Sequence, residues 1–287
     1  MNKFPLLLRI IALISSLTIL SCGLTASALA ASKSLILAST TSIQDSGLLD
    51  VLIPLFEKES GYIVKTITVG SGQAIIMGQR GEVDLLLVHS PDTEKKFMAE
   101  GTGSSSRLVM HNDFIVVGPT TDPAKVLGSK SSSEVFKKIA ARKALFISRD
   151  DNSGTHAKEI ELWKDAGVNP GNQKWYMKTG LGMGQTLFVA DERKGYTLTD
   201  RATYLALKKK LTLVILLEGD PNLLNIYHVI EVNAAKWPKV NSAGAKAFAN
   251  FMVSPTTQKL IGSYGVEKFG APLFFPDAGK KPEDLGL

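Results

Sequence analysis

The stretch SLILASTTSIQDSGLLDVLIPLFEKES, residues 34–60, decides how the rest of the chain is read. Its first half is a short apolar run fit for a strand buried on both faces. A cluster of hydroxyl residues, Ser39-Thr40-Thr41-Ser42, follows it. The second half places Leu48, Leu52 and Leu55, with Leu49, Ile53 and Phe56 beside them, on one face of a helix. Strand, polar turn, helix is therefore the local grammar, and it repeats. VKTITV leads through Gly70-Ser71-Gly72-Gln73 to a short helix, and VDLLLVH leads through Ser90-Pro91, an N-cap and first-turn pair, to DTEKKFMAEG. Repetition of this unit predicts α/β layers around largely parallel sheets.

After NDFIVVGP the pattern restarts, with a Ser- and Lys-rich helix near 131–142, the strand KALFIS, the polar stretch RDDNSGTH (149–156) and the helix AKEIELWKDAG. GMGQTLFVADERKG and YTLTDRATYLAL follow. The run LTLVILLEGDPNLLNIYHVIEV then returns toward the first set, and SAGAKAFANFMVSPTTQKLIGSYG predicts two closing amphipathic helices. Two lobes are expected, joined by strands, because no stretch has the composition of a flexible linker.

The bulk numbers exclude several classes. With 44% hydrophobic and 21% charged residues over 287 positions, the chain has the composition of a globular protein rather than a disordered one. Residues 1–30 carry Lys3 and Arg9, an apolar stretch from Ile10 to Leu20 and Ala28-Leu29-Ala30, the layout of an export signal cleaved after Ala30. The apolar stretch is about half of the roughly 20 residues a spanning helix needs. Lipid attachment at Cys22, the only cysteine, is the alternative to that cleavage. Beyond it there is neither a disulfide nor a thiolate metal site to form. His89, His111, His156 and His228 are too scattered for paired ligand spacing. Removing Lys3 and Arg9 leaves 31 basic against 27 acidic residues, a mild excess suited to steering a small anion. KKK at 208–210 is expected to be a solvated helix end, and no nucleic-acid partner is expected.

The residues that can carry chemistry gather where strands give way to helices. There, free backbone N–H groups and the positive end of the helix dipole favour an anion. Ser39 to Ser42 and Gly70 to Gln73 occupy two such turns. Arg149 to Thr155 occupies a third, with a guanidinium able to hold two oxygens of an oxyanion at once. Each turn alone could be no more than a helix cap, Ser42 or Asp45 capping the first. Asp150 and Asp151 are read as capping or orienting groups, so neither a metal nor another cofactor is needed. A serine hydrolase using Ser71 or Ser153 with His156 and an aspartate is the alternative from another class. VGSGQ lacks the nucleophile-elbow spacing, and His156 begins the same helix as Ser153.

STTSIQDSGLLDVLIPLFEKESG, VGSGQAIIMGQRGEVDLLLVHSP, RDDNSGTH, YTLTDRATYL and NIYHVIEV resemble the periplasmic tungstate-binding proteins of ABC importers, relatives of the molybdate and sulfate binders. The resemblance spans nearly the whole mature chain. It implies a two-lobed periplasmic-binding-protein fold, each lobe a mixed, mostly parallel sheet flanked by helices, joined by two hinge strands at FIVVG and YHVIEV. Lobe one would be 31–114 with 229–287 and lobe two 115–228. The family's ligand contacts match Thr40, Thr41, Ser42, Ser71, Arg149 and Thr155, with Ser39 standing where a threonine is usual. The implied role is that of a monomer outside the cytoplasm that captures tungstate or a related oxyanion and delivers it to a membrane permease, without catalysis. Phosphate and sulfate remain open from the residues alone. Phosphate keeps a proton near neutral pH and wants an acceptor such as Asp150 or Asp151. Tungstate, molybdate and sulfate need only donors.

Overall fold

Three parallel strands begin the fold. β1 (Ser34–Thr40) lies between β2 (Ile63–Val69) and β3 (Leu85–Val88), parallel to both. In the computed structural model, which describes residues 33–285, α1 (Thr41–Ser46) and α2 (Leu48–Ser60) follow β1. α3 (Ser71–Gln79) follows β2, and α4 (Pro91–Ala99) follows β3. The expected export signal, residues 1–30, and the alternative lipid-attachment residue Cys22 lie outside the described residues. Leu35 and Leu37 of β1 enter one apolar cluster with Leu48, Leu49, Leu52 and Phe56 of α2, while Ala38 enters another on the opposite face with Ala74 and Ile75 of α3. This alternation is the period-2 signature of a strand covered on both sides. Leu55 departs from the expected apolar face: it is 37% exposed, next to Pro54 inside the helix.

β4 (Gly103–Gly118) is the strand that joins the two halves. Its first part, Gly103 to Asp113, pairs antiparallel with β9 (Leu224–Val232), and β9 pairs in turn with β3. Its last part, Phe114 to Gly118, pairs instead with β7 (Thr197–Asp200) and β8 (Val214–Leu217). Phe114 and Val116 point into one cluster of the second half and Ile115 and Val117 into another, so a single strand seeds both sides of that core. The short strand β10 (Phe275–Pro276) pairs with β4 near His111. β5 (Phe146–Ser148) and β6 (Tyr176–Lys178) form a separate parallel pair. Every antiparallel pairing in the molecule as described involves β4 or β9. The sheets are accordingly mixed, with a larger antiparallel share than the strand-turn-helix grammar alone suggests, because the crossing strands run against their neighbours.

The second half carries α5 (Ser132–Arg142), α6 (Gly154–Asp165), α7 (Met183–Arg193) and α8 (Arg201–Leu207). Lys208–Lys210 is an exposed 3-10 turn closing α8. The chain ends with α9 (Ser242–Met252), α10 (Pro255–Ser263) and the short α11 (Val266–Phe269), and α9 lays Phe248, Ala249 and Met252 onto the first half's core. From Ser34 onward the chain forms one compact unit. Among the described residues no helix is long and apolar enough to cross a membrane.

Candidate functional site

Five helices begin at polar or glycine turns, and hydrogen bonds tie their starts together. At α1 the cap is Thr40 rather than Ser42 or Asp45: its backbone is extended (φ −106°, ψ 150°), and its hydroxyl accepts the Ile43 N–H at 3.4 Å. Thr40 thereby shapes the turn. That leaves Ser42 in the first helical turn, buried, with a hydroxyl that has no hydrogen-bond partner among the described residues. At α3 the cap is Gly70, and Ser71 is fully buried with its Oγ 3.5 Å from the His89 N–H. Gly72 N–H donates across to the Asn152 carbonyl at 3.0 Å. A Cβ on Gly72 would stand 2.5 Å from that same oxygen, so only glycine lets these two turns meet.

The third turn is held in an unusual backbone shape, with Asp150 and Asn152 both left-handed (φ 48° and 56°). Ser153 caps α6 by accepting the His156 N–H at 3.2 Å. Between those features sits Arg149, only 2% exposed. Its Nη1 donates to Thr155 Oγ1 at 3.3 Å, and its Nη2 to Thr41 Oγ1 at 3.1 Å and to Asp151 Oδ2 at 2.5 Å. Asp151 also accepts the Ser153 N–H at 3.1 Å, which fixes it against the turn. A buried guanidinium is tolerable only with such partners. Its Nε nevertheless has none among the described residues. The strand end that carries Arg149 is braced from below. Thr179 Oγ1 donates to the Ser148 carbonyl at 3.0 Å, and Tyr176 OH lies 2.9 Å from Ser148 Oγ and donates to Glu159 Oε1 at 2.6 Å. Burial pushes the Glu159 carboxyl up to about 7.

The structure therefore brings Thr41, Arg149 and Thr155 into one bonded set, with Ser71 joined to it through Gly72 and Asn152. Three further elements complete the surroundings. Gly182 caps α7 against Thr41, and Gly184 N–H donates to Asp45 Oδ2 at 2.9 Å. Thr203 of α8 lies 3.2 Å from the Ser42 carbonyl. The signal for α7 was present in the sequence, since Gly182-Met183-Gly184-Gln185 repeats the pattern of Gly70-Ser71-Gly72-Gln73. His89 is pushed down to about 3, chiefly by burial and then by the Arg149 charge, so its ring is neutral, with Nδ1 bonded to Asn225 at 2.9 Å.

The chemistry this set supports is donation to a bound anion. Among the described residues no group of three or more His, Cys, Asp or Glu side chains is placed to hold a metal ion. Neither serine weighed as a nucleophile meets a histidine ring. Ser153 Oγ is engaged by the backbone of His156, whose Nδ1 accepts the Asn152 N–H at 3.2 Å, and Ser71 faces the backbone of His89.

Residues 25–256 match the PBP superfamily domain. The chain is 50% identical over 252 residues to the tungstate-binding protein TupA of Peptoclostridium acidaminophilum, covering 87% of this chain and 88% of that one. It superposes on the crystal structure of the tungstate ABC transporter protein from Geobacter sulfurreducens with a TM-score of 0.74 at 46% identity, over 80% of this chain and 98% of the other. The tungstate-binding protein TupA from Desulfovibrio alaskensis G20 gives 0.72 at 45% identity, over 85% and 99%. The sheet order, the joining strand and these similarities agree, and the chain belongs to the PBP superfamily and, within it, to the family of ABC-transporter tungstate-binding proteins.

Proposed function

We propose that this protein captures tungstate as a bare dianion between its two halves, outside the cytoplasm, and hands it to the permease of an ABC importer. The observation that carries the reading is Arg149: a buried guanidinium bonded to Thr41 of one half and Thr155 of the other, with its Nε unpartnered. Ser42 Oγ is a second unpartnered donor on the same turn as Thr41. Arg149, Thr41, Ser42, Ser71 and Thr155 are the proposed ligand contacts, and Thr40 is assigned to shaping the first turn. We place the division of lobes near the expected one, 31–114 with 229–287 against 115–228, the return crossing lying just before Leu224, where β9 begins to pair with β4. The protein acts as a monomeric carrier without catalysis.

A donor-only site favours a dianion with no proton over phosphate. The two carboxylates best placed to accept a phosphate proton are already engaged, Asp151 by Arg149 and Ser153 N–H, and Asp150 by Lys178 at 3.3 Å. Calorimetric titration with tungstate, molybdate, sulfate and phosphate tests the reading. Tungstate should bind tightest, with molybdate similar or weaker and sulfate and phosphate far weaker. Phosphate binding more tightly than tungstate would overturn it.

A further inference from the structure

Asp200 is fully buried at the end of β7, where it caps α8, yet among the described residues no lysine, arginine or histidine forms an ion pair with it. Its Oδ1 accepts the Thr203 N–H at 2.8 Å. Its Oδ2 lies 2.8 Å from Thr203 Oγ1, and that same hydroxyl lies 3.2 Å from the Ser42 carbonyl in the other half of the molecule. A threonine hydroxyl has one proton to give and two lone pairs to accept with. The Ser42 carbonyl can only accept, and so can an ionised carboxylate. Both contacts are satisfied at once only when the Asp200 carboxyl itself carries a proton, donating it to Thr203, which donates to Ser42.

We infer that Asp200 is a positioning residue for oxyanion capture, holding a proton in the closed, loaded protein and acting through Thr203 on the Ser42 turn, so that binding takes up a proton. The inference rests on the proposed binding of a dianion beside Arg149. The charged and titratable groups facing Asp200 are Arg149 from the turn after β5, Asp45 from α1 and Tyr227 from β9. Arg201, the next residue, is turned to Asp113 and Glu218, at 2.6 and 2.7 Å. Burial already pushes Asp200 up to about 6 against the Thr203 hydrogen bonds and the Arg149 charge, which favour the ionised form, and the nearby Asp45 carboxylate adds a smaller upward push. A dianion adds two more negative charges to the same neighbourhood and disfavours ionisation further. When the halves part, the Ser42 carbonyl leaves Thr203, whose hydroxyl is then free to serve an ionised Asp200.

The test is calorimetric titration of the full protein with micromolar tungstate at pH 7.5, in buffers of different ionisation enthalpy, for wild type, Asp200→Asn and Asp200→Ala. Wild type should take up a substantial fraction of one proton per tungstate, and its affinity should rise as pH falls, up to about tenfold per unit for a full proton. Asp200→Asn imitates the protonated carboxyl, with an amide to donate and a carbonyl to accept. It should bind within a few-fold of wild type, with proton uptake near zero and a flat pH profile. Asp200→Ala removes the relay and should weaken binding at every pH. Tungstate binding by wild type without proton uptake overturns this inference alone, as does undiminished uptake in Asp200→Asn. Failure of wild type to bind tungstate overturns the functional reading and this inference with it.

Discussion

Arg149 is the residue on which the account turns, and its burial is explicable only by its partners. A charge-assisted hydrogen bond contributes roughly 1.5–3 kcal/mol, and a bidentate one somewhat more. Arg149→Ala should therefore weaken tungstate binding at least ten- to hundredfold by calorimetry, while circular dichroism stays that of the folded chain. Binding at wild-type strength would reduce Arg149 to a turn-stabilising residue. Arg149 was legible in the sequence because an arginine amid capping residues at the end of an apolar run has few structural uses. Thr41 and Thr155 were legible as hydroxyls at the same kind of turn. The capping role of Thr40 was not, since Thr40, Thr41 and Ser42 are chemically interchangeable in sequence and only backbone angles separate them. Asp200 was equally hidden. Its importance comes from Thr203 and Ser42, 161 positions apart, meeting through one hydroxyl.

At the scale of elements, the site depends on helix starts brought unusually close. Gly72→Ala places a methyl against the Asn152 carbonyl and should force the α3 and α6 turns apart. Overpacking of this kind costs about 1–3 kcal/mol. The variant should lose tungstate affinity and melt several degrees lower; a neutral variant would mean that the two turns need not touch. α6 also carries the brace under Arg149. Because the Glu159 carboxyl titrates near 7 in the fold and near 4.5 when unfolded, the folded chain keeps a proton that the unfolded chain has released between those values. Stability should accordingly fall as pH rises from about 4.5 to 7, by an amount on the order of 1–3 kcal/mol. Glu159→Gln should flatten that decline in thermal melts taken from pH 5 to 8, and an unchanged slope would place the titration elsewhere. Most elements were legible from periodicity, α2, α5, α6, α9 and α10 among them. For β4 the resemblance pointed only to FIVVG, its last five residues; the polar stretch GSSSRLVMHND before it carries no strand periodicity, and only pairing reveals one 16-residue strand that changes partners between Asp113 and Phe114.

For the whole molecule, the halves are linked by Arg149 to Thr41, Gly72 to Asn152, Gly184 to Asp45 and Thr203 to Ser42. All four contacts surround the proposed ligand position, so the ligand and the closed arrangement stabilise each other. Tungstate should reduce the radius of gyration of ligand-free protein in small-angle scattering; an unchanged radius would exclude closure by a hinge. Ligand at about 1,000 times its Kd should also add about 4.1 kcal/mol to stability and raise the melting temperature by several degrees or more. The most direct measurement is a crystal structure of the protein with tungstate, its heavy atom located by anomalous scattering. The account predicts one strong peak between the halves, with oxygens in hydrogen-bond reach of the Arg149 guanidinium, Ser42 Oγ and Thr155 Oγ1. A peak elsewhere on the surface, or an occupied site that Arg149 does not touch, would contradict it.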